Sequence, residues 1–176
     1  MTTINSTDDE NMFNFNKEPT NDDDINPDDF TFESWDDDEV NLNKKLLRGI
    51  YSYGFEKPSP IQKKAVIPMV LKKDVIAQAQ SGTGKTGAFS IGSMNRVDED
   101  LKETQVMILS PTRELAEQTT NVIKEITSYT KITHCKVVGG TNVGEGQREL
   151  QKIPHVVVGT PGRILDMLSK KYIFTQ

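Results

Sequence analysis

Residues 79–86 read Ala79-Gln80-Ser81-Gly82-Thr83-Gly84-Lys85-Thr86, with a short apolar run before them and a stretch of helical spacing after. Glycines at such a junction let the backbone turn its N–H groups inward, which constrains the neighbourhood to strand, loop and helix. The residue types suit an anion carrying several phosphates. Gly82 and Gly84 open the cradle, with Ser81 and Thr83 between and before them; Lys85 adds a positive charge, and the Thr86 hydroxyl can ligate Mg²⁺. Ala79 stands where the general pattern has glycine, so the chain must enter the loop without a left-handed residue there. A flexible turn between strand and helix is the competing explanation.

The rest of the body repeats the alternation. Runs 74–79, 105–110, 135–139 and 155–159 read as buried strands, and 85–96, 113–129 and 145–151 as helices. Strands separated by helices are joined by crossovers, and crossovers connect parallel strands. The expected fold is therefore α/β, a parallel sheet with helices on both faces. Ahead of it, Leu46, Leu47, Ile50 and Tyr51 fall on one helical face and stop at Gly54, and residues 60–71 form a second helix whose last turn Pro68 should disturb.

Charge separates the chain into unlike parts. Residues 1–40 carry fourteen acids against Lys17 alone, a balance of −13, whereas residues 41–176 carry +8. The net charge of −5 would argue against a polyanionic partner; the basic body permits one. Residues 1–34 read as an acidic disordered tail, too poor in apolar side chains to offset the entropy of ordering them, and residues 35–176 as the folded part. The opening residues have neither the basic start nor the apolar stretch of a secretory signal, Cys135 has no disulfide partner, and no run is long and apolar enough to span a bilayer.

Further segments carry chemistry. Gln62, in Gly54-Phe55-Glu56-Lys57-Pro58-Ser59-Pro60-Ile61-Gln62, offers a donor and an acceptor in one plane and could pair with the N6 and N7 edge of adenine, or could be a surface residue at a helix start. Pro111-Thr112-Arg113 and Thr160-Pro161-Gly162-Arg163 each follow a strand with a hydroxyl, a proline and an arginine, the composition of a helix cap that also suits a phosphate. With the Gly139-Gly140-Thr141 turn and the phosphate loop, they fall at the carboxyl ends of strands, where open α/β sheets bind ligands. A guanine-reading Asn-Lys-x-Asp pattern does not occur.

In order, residues 54–62, 79–86, 111–115, 139–140 and 160–163 resemble the Q motif, motif I, motif Ia, the GG motif and motif Ib of DEAD-box RNA helicases. The match runs from about residue 35 to the end, and the wording between motifs is similar to the translation initiation factor 4A subgroup. The resemblance implies a RecA-like ATP-binding lobe, the first of two and incomplete here, in a cytoplasmic enzyme that couples RNA-stimulated ATP hydrolysis to local unwinding. It implies ATP and Mg²⁺ as cofactors, RNA held by its backbone, and a translation-initiation scaffold as partner. By position, Phe55, Pro58 and Gln62 would face adenine, with Trp35 or Phe32 stacked on it; residues 81–86 would hold phosphates and metal, Lys85 and Thr86 serving catalysis. Pro111, Thr112, Arg113, Gly139, Gly140, Thr160, Pro161, Gly162 and Arg163 would hold RNA.

Phosphoryl transfer needs a carboxylate at a later strand end to organise Mg²⁺ and water, yet the later strands end in Ser110, Gly139 and Gly159. The expectation is a fragment, inactive by itself, of a helicase. The alternatives are a non-catalytic single lobe that binds nucleotide or RNA, and an unrelated kinase, for which an arginine-rich lid is lacking. The opposed charges of tail and body suggest that the tail competes for the basic face. Deleting residues 1–30 should then raise affinity for single-stranded RNA at low salt and leave it unchanged at high salt, measured by fluorescence anisotropy; equal affinities at low salt would remove the competition.

Overall fold

Short parallel strands are what this alternation should produce, and each strand among the described residues has four residues and a parallel neighbour. The computed structural model describes residues 2–5, 31–140 and 143–173, so most of the expected tail lies outside the described residues. The chain divides into two compact units, Met1–Arg96 and Val97–Gln176.

In the first unit, β1 (Thr2–Asn5) pairs with β2 (Val75–Gln78), Thr2 opposite Val75 and Asn5 opposite Gln78. That strand was not expected in the acidic segment; its Thr-Thr-Ile-Asn stretch precedes the acids and is rich in β-branched residues. The packed body also starts earlier than composition suggested, at Phe32, which is buried against Trp35. Asp37 fixes this approach by accepting from the backbone N–H groups of Glu33 and Ser34, and Glu33 pairs with Lys63.

Helix α1 (Lys44–Tyr53) ends at Gly54 with φ of 98°, the left-handed stop that the sequence suggested. Helix α2 (Pro60–Val70) runs through Pro68, contrary to expectation. The missing N–H costs one hydrogen bond, but Ile67 and Pro68 are buried, and Leu71 N–H still reaches Ile67 O at 2.9 Å. Helix α3 (Lys85–Met94) completes the layer. Ile61, Ala65 and Ala88 pack with Val75, Ala77 and Ala79. Strand β2 was expected to be buried throughout, yet its other face carries Ile76 at 41% exposure.

In the second unit, β3 (Val106–Leu109), β4 (His134–Val137) and β5 (Val156–Gly159) form a parallel sheet in the order β3-β5-β4. Helices α4 (Arg113–Ile126), α5 (Val143–Leu150) and α6 (Pro161–Ser169) follow them in turn. The two-residue period assigns the faces. Met107, Cys135 and Val157 stand in register and share a core with Leu150, Ile164 and Met167 from α5 and α6. Lys136, on the opposite face, pairs with Glu117 of α4. Central β5 is buried at every position, which its Val-Val-Val run requires. The parallel α/β architecture expected from the sequence is thus present, with strands paired as β1-β2 and as β3-β5-β4 among the described residues.

Burial of Cys135 in that core pushes its thiol up from 9.0 to about 11, with Glu149 contributing. The folded state therefore keeps a proton that the unfolded chain releases between pH 9 and 11, and stability falls as pH rises through that window. Urea unfolding of the chain and of Cys135→Val should diverge across this range, the variant lacking that part of the slope.

Candidate nucleotide loop and anion pocket

The loop after β2 turns through Gly82 at φ 82° and Gly84 at φ 99°, and Gly84 is the N-cap of α3. Both angles are left-handed, which explains glycine at each. Ala79 is not among the residues with positive φ, so the loop is entered as its sequence demanded. Thr83 donates its hydroxyl to Gln80 O at 2.8 Å, tying the loop across its own width. The Lys85 ammonium folds over the loop's start, donating to Ala79 O and Gln80 O, both at 2.5 Å. Ser81 and Gly82 are exposed at the tip, while Thr86 is half-buried in the first turn of α3.

The segment before α2 is bound directly to this loop. Ser59 donates its hydroxyl to Thr83 O at 2.8 Å, and Gln62 Nε2 donates to Gly84 O at 3.2 Å. Gln62 Oε1 accepts from Ser59 N–H at 2.8 Å, half of a capping box at the start of α2. Gln62 is only 2% exposed, so the surface alternative is excluded. A Cβ on Gly84 would lie 2.7 Å from Ser59 Oγ and 2.8 Å from Gln62 Nε2, so those side chains would have to shift, beyond the strain that φ already imposes. Phe55, half-buried, sets its ring edge-on to Tyr53 at 4.7 Å, and Pro58 is buried.

The expected adenine stack is not prepared. Trp35 and Phe32 are 1% and 2% exposed and pack on each other at 5.2 Å, which leaves neither ring an open face. Trp35 instead seals the core, although its buried Nε1 has no hydrogen-bond partner among the described residues. Beside it, Tyr51 donates to the Asp36 carboxylate, and this bond raises the phenol above its ordinary pKa.

In the second unit, a cavity of about 610 Å³ opens among Pro111, Thr112, Arg113, Gly139, Thr160, Gly162, Arg163 and Asp166. The ends of β3, β4 and β5 bring together segments that are distant in sequence. Thr112 accepts Leu115 N–H at 3.2 Å, a side-chain cap on α4. Thr160 caps α6 without a side-chain bond, unlike the paired design read from the sequence. Arg113 lies against the glycine turn, and a Cβ on Gly140 would meet its Nη1 at 2.2 Å. Thr141 and Asn142 lie outside the described residues. Ser59 and Asp166 join these two sites in the structure without a motif that marks them in the sequence. Asp166 sits three residues after Arg163 and pairs with Lys170 at 2.8 Å, a helical spacing that was available as a signal.

A family model for DEAD/DEAH box helicases matches residues 59–176, which takes in both the phosphate loop and the cavity. The chain belongs to the DEAD/DEAH box helicase family. It is 54% identical over 138 residues to eukaryotic initiation factor 4A of Drosophila melanogaster, covering 78% of this chain and 34% of that protein. A DEAD box protein from Methanococcus jannaschii superposes with a TM-score of 0.73 at 32% identity, covering 82% of this chain and 39% of that one. For S. cerevisiae Dbp5 bound to RNA and ADP BeF3 the values are 0.70 and 42%, covering 79% and 35%. This DEAD-box chain therefore spans about a third of the length of the relatives it matches.

The Arg113–Gly140 contact makes a test within the cavity. Gly140→Ala should cost about 1–3 kcal/mol, from its φ of 79° and from displacing the guanidinium. In an Arg113→Ala background only the backbone share should remain, a coupling that a urea double-mutant cycle would measure.

Proposed function

We propose that this chain is the nucleotide- and RNA-binding part of an ATP-dependent RNA helicase that acts in translation initiation in the cytoplasm, residues 35–176 contributing to the first of two RecA-like lobes. The observation that carries the reading is the bond from Gln62 to Gly84, which joins a candidate base reader to the phosphate loop. With Ser59 N–H and Gly84 O taking one acceptor site and one donor of Gln62, its amide keeps one N–H and one lone pair uncommitted among the described residues. Adenine offers N7 as acceptor and the N6 amino group as donor, so the match is complementary. Phe55 and Pro58 would line the approach. Trp35 has no part in it.

The loop residues fit a nucleotide phosphate chain. The left-handed glycines let backbone amides turn toward a phosphate, the N-terminus of α3 favours negative charge, and Lys85 would exchange a carbonyl partner for a phosphate oxygen. Ser81 and Thr83 flank that path, and the Thr86 hydroxyl would ligate Mg²⁺, which supplies charge neutralisation on the phosphates when bound. In the second unit, Arg113 and Arg163 would grip RNA phosphates beside the N-termini of α4 and α6, where Pro161 supplies no competing N–H. Thr160 has its hydroxyl free of capping duty, and Gly139, Gly140 and Gly162 allow close approach of a sugar-phosphate chain. Pro111 and Thr112 shape one rim. These groups recognise backbone, so binding should not depend on base sequence. An initiation scaffold is the proposed protein partner.

Calorimetry with ATP, and anisotropy with labelled RNAs of different sequence, test the proposal. Lys85→Ala should weaken ATP binding by roughly tenfold or more without unfolding the chain. Arg113→Ala or Arg163→Ala should weaken all RNAs alike and each lower the salt slope by about 1. ATP and RNA affinities unmoved by these changes would sink the assignment.

A further inference from the structure

We infer that Gly87 is a positioning residue for base selection, because its missing side chain is the space in which Gln62 and Phe55 are seated. The inference rests on the adenine reading given above and deepens it.

Gly87 is the third residue of α3 and is buried. Its backbone is helical and not left-handed, so conformation gives no reason for glycine, which is disfavoured inside helices. Close approach does. A Cβ at this position would lie 2.5 Å from Gln62 Nε2 and 3.0 and 3.2 Å from Phe55 Cζ and Cε2. Gly84, one turn earlier, is touched by the same Gln62 amide. One side chain is therefore held against two successive levels of the helix whose start carries Lys85 and Thr86, and the base-reading group is set at a fixed offset from the phosphate groups.

The chemistry makes that offset matter. Guanine presents acceptors at both N7 and O6, so a lone pair of Gln62 held in the adenine-reading plane would face a lone pair of O6. Discrimination requires the amide to stay in that plane. A methyl at position 87 forces Nε2 aside. The movement is tolerable for the fold, since Nε2 ends a flexible side chain, yet it breaks the alignment on which selection depends.

The test measures ADP and GDP affinities of the chain, Gly87→Ala, Gln62→Ala and the double variant by calorimetry, with the Gln62 side-chain amide followed by NMR. The chain should prefer ADP. Gly87→Ala should cut the ADP-over-GDP preference by about tenfold and shift the Gln62 amide resonance, and should change the preference no further when Gln62 is already alanine. Gly92→Ala is the control in the same helix: its Cβ would meet Met69 Cβ at 2.8 Å, so it should lower the thermal midpoint and leave the preference intact. An undiminished preference in Gly87→Ala would overturn the inference and leave the adenine reading standing. Loss of preference in Gly92→Ala as well would overturn it as general loosening of the α2–α3 contact. A parent chain without preference would overturn both.

Discussion

A buried amide bonded to the backbone of a loop organises the first unit: Gln62 Nε2 reaches Gly84 O at 3.2 Å while its Oε1 holds the N–H of Ser59. A buried polar group must find partners, and these partners belong to the two segments that have to be held together. The start of α2 and the start of α3 are thereby tied to each other through the two hydrogen bonds of one side chain. Apolar contact alone, between Ile61, Ala65 and Ala88, would set the distance between those helices without setting the rotation of the amide.

The second unit uses glycine for a similar purpose. Arg113 can lie on the turn after β4 because Gly140 has no side chain to repel it, and β5 can pass close to β4 and α6 because a Cβ on Gly159 would meet Val137 O at 2.2 Å. These approaches bring the starts of α4 and α6 and the glycine turn to one cavity. Central β5 supplies the rigid floor, with valines buried between helices on both faces. The arginines at the rim remain accessible, so charge is concentrated where the backbone is open.

Much of this was legible residue by residue. The Val156-Val157-Val158 run predicted a strand covered on both faces, Gly54 predicted the end of α1, and the Gly-Lys-Thr ending predicted a loop feeding α3; local periodicity and local φ requirements carry such information. Three things were not legible. The burial of Gln62, which separates the ligand reading from the surface one, comes from a loop twenty-two residues away. The mutual burial of Trp35 and Phe32, the two rings the resemblance offered for adenine, is not announced by anything in their own neighbourhood. The strand Thr2–Asn5 was hidden inside an acidic composition, since four residues hardly alter a segment average.

The amino-acid order by itself determined most of the strands and helices, where charge resides, and that a glycine-bearing loop feeds α3, because each depends on neighbours within a few positions. Only the tertiary structure decided which face of each strand is covered, which polar atoms are shared between segments, and which glycines are approached closely by other segments, whatever their conformation. The physical reason is that such approaches, Gly84 and Gly87 to Gln62 or Gly140 to Arg113, involve atoms remote along the chain, and short-range packing acts on distance in space.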